Sequence, residues 1–427
     1  KGRTWRERHK KGEQQALSPF SLAHYEEYIN LFQWAKQNGV LCPSMKPASF
    51  SSTGRGLMAT KCINIGDLLI SVPKSLLFSV ETLRCLHPDL FNQPEADKLS
   101  TVDVLCLFLI FERSFGKESF WAPYISMLPL TFNTPSCFGV ELHQCPDFFF
   151  DHGQMHLKNI RKCYLTLKNF ISTSTVLNGM KLDFDHVIWA WNIVNTRSVH
   201  MNDSAKTKSA FYLDKMSCCL APLLDLLNHS CCVEVDAGYS ETDKCYVIYT
   251  RTRFKKGEQV FINYGPHNNR KLWLEYGFII SNNIHNCVSI LPRLLYKITE
   301  KHTKSKISKH KYDMIEKYDL ERTYFCTISG ISWSLNAALK ILVLSDLKLK
   351  ESSGLNIESI PNENDTLKRR ILIDLLDLVL NKYSNDLSKI VNYGKKGNCL
   401  SEQMKILVTL LEEEKYLVEC SLSLINS

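Results

Sequence analysis

The spacing of apolar residues divides the chain into helix-like and strand-like stretches. In some segments apolar side chains recur every three or four positions, which is the period of an amphipathic helix, and elsewhere they form short β-branched or aliphatic runs. The predicted helices cover 21–39, with Ser21 as the N-cap, 101–115 and 184–195. The predicted strands cover 56–60, 68–72, 244–252 and 259–263. Because neither β-rich segment could bury a sheet face alone, we expect the two to pair into one module.

The last third of the chain has helical periodicity. One apolar stripe consists of Ile331, Leu335, Leu339 and Leu342, and a second of Leu367, Ile371, Leu375 and Leu378. Such stripes predict helices with one buried face. The segments 301–311 and 351–365 have the weakest ordering signals and are predicted to be exposed loops.

These patterns predict an α+β fold in which a β-rich domain is split by a helical insertion and followed by an all-helical domain. The predicted limits are 1–20 for a basic N-terminus, 21–97 for an N-terminal helix with the first β-rich part, 98–196 for the insertion, 197–289 for the second β-rich part, and 290–427 for the helical domain.

Composition narrows the class of protein. The hydrophobic content of 44% indicates a folded chain, and the longest apolar run, 104–111, is far too short to cross a bilayer. No apolar signal segment is visible, and sixteen cysteines are scattered through the chain, so we expect reduced thiols in cytoplasm and nucleus. The net charge of +8 is modest. The basic stretch at 3–11 is interpreted as a solvated terminus, with a nuclear signal as the alternative.

Adjacent cysteines raise two hypotheses that we disfavour. Cys218-Cys219 and Cys231-Cys232 suggest zinc, but adjacent thiols chelate poorly in a tetrahedral site and no CxxC motif accompanies them. We therefore expect no metal. A nucleophilic pair formed by His229 with Cys231 or Cys232 lacks any recognisable nucleophile motif.

Three segments of the sequence contain residues that packing alone does not explain. The first of these segments is Thr53-Gly54-Arg55-Gly56. Its two glycines permit a sharp turn or a close approach of the backbone to a ligand. A lone GxG is just as typical of a plain turn. It is not a dinucleotide fingerprint, because the third glycine and the following helix are missing.

The other two segments place polar and phenolic groups next to apolar runs. Asp225-Leu-Leu-Asn228-His229-Ser230 ends one such run. Gly257-Glu258 precedes Asn263-Tyr264-Gly265, and Tyr276-Gly277-Phe278 follows. Taken alone, the Asn228-His229 pair is as consistent with a turn as with a binding site. The tyrosines are likewise consistent with structural roles, because the chain is rich in aromatic residues.

In this order, the three segments resemble the motifs of the SET-domain methyltransferases. More narrowly, the chain resembles the subclass of the plant Rubisco large-subunit lysine methyltransferase, which splits its SET domain with a long helical insertion and adds a helical C-terminal domain. The resemblance implies that this C-terminal domain, at 290–427, binds the substrate. Gly56 and Asn228 lie about 170 positions apart, as such an insertion requires. The resemblance extends from residue 25 to 427 and includes Trp121-Ala-Pro123-Tyr124.

The resemblance implies S-adenosyl-L-methionine as cofactor and a role for each matched residue. The implied cofactor-binding residues are Thr53, Gly54, Arg55, Gly56, Arg197, Asp225, Asn228, His229 and Tyr264. Tyr264 and Tyr276 are implied to be catalytic, and Tyr239, Tyr276 and Phe278 to line the channel for the acceptor side chain. The zinc motif that follows the SET domain in many histone methyltransferases is absent, as is usual in this subclass.

The resemblance also implies the reaction: methyl transfer to a lysine of a histone or non-histone protein. The expected enzyme is a monomer without membrane attachment or sequence-specific nucleic-acid binding. Two alternatives stay open. The acceptor could be histidine, because one member of the subclass modifies histidine. The chain could instead be a non-catalytic adaptor that only binds a peptide, although a decayed site would have no reason to retain Asn228, His229 and Tyr264.

Overall fold

The computed structural model describes residues 19–177, 179–201, 218–351, 357, 363–395 and 400–426. The basic stretch at 3–11 and most of the predicted loop at 351–365 lie outside these residues. The chain forms two compact units. The first unit contains Lys1–Phe132 and Gln154–Pro266, and the second contains Asn133–Gly153 and His267–Ser427. Compactness alone defines these units, so the domain limits given above remain predictions.

A five-stranded sheet in the first unit joins both β-rich parts of the sequence. The strands of this unit are β1 (Phe20–Ser21), β2 (Met45–Phe50), β3 (Gly54–Ala59), β4 (Leu68–Pro73), β5 (Val199–His200), β6 (Cys218–Cys219), β7 (Asn228–His229), β8 (Val235–Ser240), β9 (Cys245–Thr250) and β10 (Gln259–Ile262). The large sheet has the order β1-β2-β3-β10-β7. Its β10 is antiparallel to β3 and parallel to β7. The expected pairing of the two β-rich segments is confirmed.

Two smaller sheets complete the β structure of this unit. One has the order β4-β9-β8, and the other pairs β5 with β6. In the first, β4 pairs antiparallel with β9 across 170 or more positions of sequence, through residue pairs such as Val72 and Tyr246. This pairing is a second link between the two β-rich segments of the sequence.

Helices precede and separate these strands along the chain, and together the helices and sheets confirm the α+β class. They are α1 (Glu26–Gln37), α2 (Val80–Leu86), α3 (Pro88–Phe91), α4 (Thr101–Ser114), α5 (Ala122–Ile125), α6 (Asp147–Thr173) and α7 (Phe184–Arg197), with 3₁₀ turns at Lys74–Leu76, Pro94–Lys98, Gly116–Glu118 and Leu224–Leu226. A capping box between Ser100 and Asp103 begins α4. Both α4 and α7 are largely buried, so they form much of the apolar core of the first unit.

The predicted cap at Ser21 is wrong. Helix α1 begins at Glu26 with Tyr25 as the N-cap, and no side chain caps it. Ser21 instead lies in β1, where it pairs with Ala48. A partner strand satisfies the backbone groups of this segment and so competes successfully with a capping role.

Helices predominate in the second unit, but the region predicted to be all-helical also contains two strands of a small sheet. Its helices are α8 (Asn269–Tyr276), α9 (Pro292–Thr303), α10 (Lys309–Lys317), α11 (Trp333–Val343), α12 (Asp346–Glu351), α13 (Asp365–Lys395) and α14 (Glu402–Asn426), with 3₁₀ turns at Pro135–Cys137, Gly139–Gln144 and Leu320–Thr323. Its strands are β11 (Val288–Ser289), β12 (Phe325–Thr327) and β13 (Gly330–Ile331), in that spatial order.

The second unit also differs from the sequence-based predictions in three details. Ile331 belongs to β13 rather than to a helical stripe. The segment predicted as a loop at 301–311 is mostly helical, because α9 extends to Thr303 and α10 begins at Lys309. Leu378 ends the second predicted stripe but is 44% exposed. Leu367 is only partly buried. The remaining members, Leu335, Leu339, Leu342, Ile371 and Leu375, are buried as predicted.

Within the described residues, no helix combines the length and apolar character needed to cross a bilayer. Each cysteine in this part of the chain carries a free thiol.

Candidate functional site

The position of β10 brings together the three sequence segments singled out above. Leu57 of β3 pairs with Val260, and Asn228 and His229 of β7 pair with Phe261 and Ile262. The glycine segment at the start of β3 and the Asn-His pair therefore flank the strand that leads directly into Tyr264. Residues separated by long stretches of sequence thus become neighbours on one sheet.

Glycine is required at Gly54 and at Gly56 for different structural reasons. Gly54, the first residue of β3, has φ +70°, a conformation that favours glycine where the preceding turn meets the strand. Gly56 has an ordinary φ, but a Cβ there would lie 2.9 Å from Asn228 Nδ2 and 2.8 Å from Gln259 Nε2. Gly56 is therefore required for close packing rather than for a turn.

Side chains of neighbouring strands hold the backbone of this segment. Asn228 Nδ2 donates to the carbonyl of Arg55 at 2.9 Å, and the Thr53 hydroxyl bonds to the side chain of Gln259 at 2.8 Å. The Arg55 guanidinium reaches the carbonyl of Met127 at 3.0 Å. Gln259 was not singled out from the sequence, because its contact depends on the register of β10 against β3.

A polar network of Tyr124, Arg197 and Asp225 lies next to the Asn-His segment. Arg197 Nη1 donates to both the Asp225 carboxylate and the Asp225 carbonyl, each at 2.9 Å. The Tyr124 hydroxyl donates to the same carboxylate at 3.0 Å. The Asp225 side chain is only 3% exposed and that of Arg197 20%. Tyr124 belongs to the Trp121-Ala-Pro123-Tyr124 motif, but nothing in the sequence indicates its contact with Asp225.

The electrostatics of the polar network keep Arg197 charged. Burial by itself would lower the pKa of Arg197, but the Asp225 carboxylate offsets burial, so the pKa lies above its ordinary value. Burial, and then the Asp225 carboxylate, raises the pKa of the Tyr124 hydroxyl well above its ordinary value. The network therefore consists of one ion pair and one neutral phenol at physiological pH.

Tyr264 is held at both its backbone and its hydroxyl. Its N–H donates to His229 Nδ1 at 3.0 Å, and its hydroxyl donates to the carbonyl of Leu227 at 2.7 Å. The rings of His229 and Tyr264 stack with centroids 5.1 Å apart. The backbone bond requires an unprotonated Nδ1, so the neutral imidazole carries its proton on Nε2. The structure thus gives His229, which is buried, a role in positioning Tyr264.

Tyr239 lies in β8, opposite Tyr246 in β9. Its hydroxyl is buried and has no hydrogen-bond partner among the described residues. Burial raises the pKa of Tyr239, while nearby Lys74 acts in the opposite direction. A buried phenol without a partner is uncommon in a folded protein and is a candidate for contact with a ligand.

Tyr276 and Phe278 belong to the second unit. Tyr276 is the last residue of α8, and Gly277, with φ +80°, caps the helix. The ring of Tyr276 lies 6.2 Å from that of Phe278 and 6.3 Å from that of His267. Burial, and secondarily Glu275, raises the pKa of Tyr276. Its channel role, like that of Phe278, remains a prediction.

Comparison with known proteins agrees with this geometry. A family model described as SET domain matches residues 54–265, which begin at the glycine segment and end after Tyr264. A relative from Artemia parthenogenetica, SET domain-containing protein 4, is 31% identical over 95% of this chain and 98% of its own length. This chain belongs to the SET-domain methyltransferase family. The resemblance inferred from its motifs is confirmed.

Other relatives and structures define the breadth of the family around this SET-domain protein. SET domain-containing protein 4 of Homo sapiens is 29% identical over all of this chain and 98% of its own length. Actin-histidine N-methyltransferase of Xenopus tropicalis is 31% identical over 65% of this chain and 47% of its own length. The structure of Rubisco LSMT bound to AdoMet superposes with a TM-score of 0.57 at 19% identity, covering 94% of this chain and 91% of that one.

The polar network leads to a prediction about stability. Asp225→Asn removes the charge that balances buried Arg197, and we expect the free energy of unfolding to fall by about 3 kcal/mol. Asp236→Asn is the matched control, because Asp236 also pairs with an arginine, Arg251, at 2.8 Å but on the surface. Urea denaturation of the SET-domain protein and both variants measures the effect. Equal stability of Asp225→Asn and wild type would contradict the energetic importance of this pair.

Proposed function

We propose that this chain is an S-adenosylmethionine-dependent protein-lysine N-methyltransferase. The observation that carries the proposal is the position of the Tyr264 phenol. It is fixed by Leu227 and His229 at the end of the strand flanked by Asn228 and the Gly54–Gly56 segment. The family supports methyl transfer in general, whereas the acceptor and the residue roles are proposals.

The residues of the first unit fit the proposed cofactor. The absence of a Cβ at Gly56 leaves room for the Asn228 amide, which donates to Arg55. Asn228 Oδ1 has no partner among the described residues and is available to accept from an amino group. Backbone of Gly54, Arg55 and Gly56, together with Asn228 and His229, would hold the cofactor. When bound, S-adenosylmethionine supplies a methyl group already activated by a sulfonium.

Tyr264 can orient the acceptor because its hydroxyl proton is already committed. Since this proton is donated to the Leu227 carbonyl, the phenolic oxygen presents lone pairs to a neighbouring amine. An N–H of the substrate lysine can bond to them, which aims the nitrogen lone pair along the line of displacement. The side chain of lysine has a reference pKa of about 10.4. An aromatic, poorly hydrated environment favours the neutral amine that the reaction needs.

Lysine is the acceptor we favour over histidine. The relatives named SET domain-containing protein 4 match this chain over almost its whole length, whereas the actin-histidine N-methyltransferase matches 65% of it and less than half of its own length. A further solved structure of similar fold, with a TM-score of 0.58 and 19% identity over 94% of this chain, contains LSMT bound to lysine and AdoHcy. These observations support a lysine acceptor, and the substrate can be a histone or a non-histone protein.

The acceptor can be identified directly. Incubation of a cell lysate with this protein and isotopically labelled S-adenosylmethionine, followed by residue-level mass spectrometry, should place the labelled methyl group on lysine. Lysate without added protein is the control. Labelled histidine would contradict the lysine proposal while leaving methyl transfer intact, and no labelled protein at all would favour the adaptor.

Tyr264→Phe tests the proposed catalytic group. Loss of the hydroxyl removes the group that aligns the amine, and we expect turnover to fall about a hundredfold with little change in cofactor affinity. Tyr249→Phe is the control, because Tyr249 lies in β9 and is 40% exposed. Single-turnover methylation and calorimetric cofactor binding separate the two effects. A Tyr264→Phe variant with wild-type turnover would refute the assigned role.

Gly56→Ala tests the cofactor site. The added Cβ can be accommodated only if the Asn228 and Gln259 amides move, which breaks their bonds to the glycine segment. We expect the dissociation constant for S-adenosylmethionine to rise about tenfold, equivalent to one lost hydrogen bond. Gly238→Ala is the matched control, since a Cβ at that β-strand glycine meets nothing within 4 Å. Equal affinity of both variants would argue against cofactor binding at this segment.

A further inference from the structure

A groove in the second unit lies along the C-terminal part of α9 and is bordered by α13. It encloses about 620 Å³. Its lining consists of Lys297, Ile298, Glu300, Lys301, Lys304, Ser305, Lys306, Asp374 and Leu378. We call it the basic groove. None of these residues belongs to the proposed methyl-transfer site.

The lysines of the basic groove are regularly spaced. Lys297, Lys301 and Lys304 occupy positions i, i+4 and i+7, so they follow one face of α9 and its end. All three are exposed, as is Lys306 in the loop that follows. Lys304 has φ +53° and terminates the helix, which turns the chain toward Lys306.

Two of these lysines already have acidic partners, and two do not. Lys301 and His302 bind the Asp374 carboxylate at 3.1 and 2.9 Å, and Lys306 pairs with Glu300 at 3.3 Å. Lys297 and Lys304 form no ion pair with any residue that the structure describes. Because the Asp374 and Glu300 carboxylates neutralise only two of the four lysines, the groove keeps an excess of positive charge.

The groove also has an apolar side. Leu378 of α13 is 44% exposed, although it continues the apolar stripe of buried Ile371 and Leu375. An exposed leucine in the same groove as two unpaired cations matches a ligand that carries both carboxylates and an apolar side chain. A single-stranded nucleic acid is the poorer match, because the lining contains no aromatic or arginine side chain on which unpaired bases could stack.

We propose that the basic groove binds an acidic, amphipathic segment of a partner protein. Carboxylates of this segment contact Lys297 and Lys304, and an apolar side chain covers Leu378. The volume of the groove is sufficient for a few peptide side chains, and a docked segment would bury Leu378. This interaction does not depend on methyl transfer and is tested separately from the proposed function.

Fluorescence anisotropy with the full chain tests the proposal. The probe is a short dye-labelled peptide of alternating Glu and Leu, and the same peptide with Gln in place of Glu is the peptide control. We expect the Glu peptide to bind, the Gln peptide to bind much more weakly, and added salt to weaken the complex. K297E/K304E should raise the dissociation constant about tenfold or more, and Leu378→Ser should also raise it.

K255E/K256E is the matched charge control, because Lys255 and Lys256 are both exposed in the segment between β9 and β10 of the first unit. It should bind the peptide as wild type does, and thermal melting should show that every variant is folded. Undiminished binding by K297E/K304E would overturn the proposal, as would equal weakening by K255E/K256E. Tighter binding of duplex DNA than of the peptide, lost in K297E/K304E, would also overturn it in favour of a nucleic-acid site.

Discussion

The pairing of β10 between β3 and β7 is the constraint on which the rest of the first unit depends. Residues near position 57 and near position 228 are brought beside residues 259–262 by this one strand. The entropic cost of closing a loop grows only with the logarithm of its length, at about 0.6 kcal/mol per doubling. A long helical insertion between β3 and β7 therefore costs little more than a short one, provided that the strands still meet.

These strands are short, so side chains must share the task of fixing their register. β7 contains only Asn228 and His229, and two residues of parallel ladder specify a register weakly. Asn228 adds a bond to the Arg55 carbonyl, and His229 accepts from the Tyr264 backbone. The groups proposed to act on ligands thus also hold the sheet together, and a substitution among them affects folding and function at once.

Much of the fold follows from periodicity, whereas the contacts of the site do not. The strands around Gly56 and Leu68 and helices α4 and α7 were predictable because their apolar patterns are long or bounded by turn residues. β1 was missed because two residues carry no period, and Ser21 has a strong capping propensity of its own. The Leu227 carbonyl accepts a hydrogen bond from the Tyr264 hydroxyl. Because this carbonyl belongs to the backbone, the residue type at position 227 does not indicate the contact. The motifs located Asn228, His229 and Tyr264, but only the register of the strands defines what they touch.

The buried ion pair of Arg197 and Asp225 removes an electrostatic repulsion that would otherwise oppose the proposed reaction. Arg197 lies within electrostatic range of the Tyr264 hydroxyl, and it stays charged. An uncompensated guanidinium there would oppose both a sulfonium donor and a substrate amine that arrives as ammonium. Asp225 supplies the compensating charge at 2.9 Å, and Tyr124 satisfies the same carboxylate without adding charge. Arg197 can then offer directional N–H groups in a neutral environment, which a lone arginine in the same place could not do.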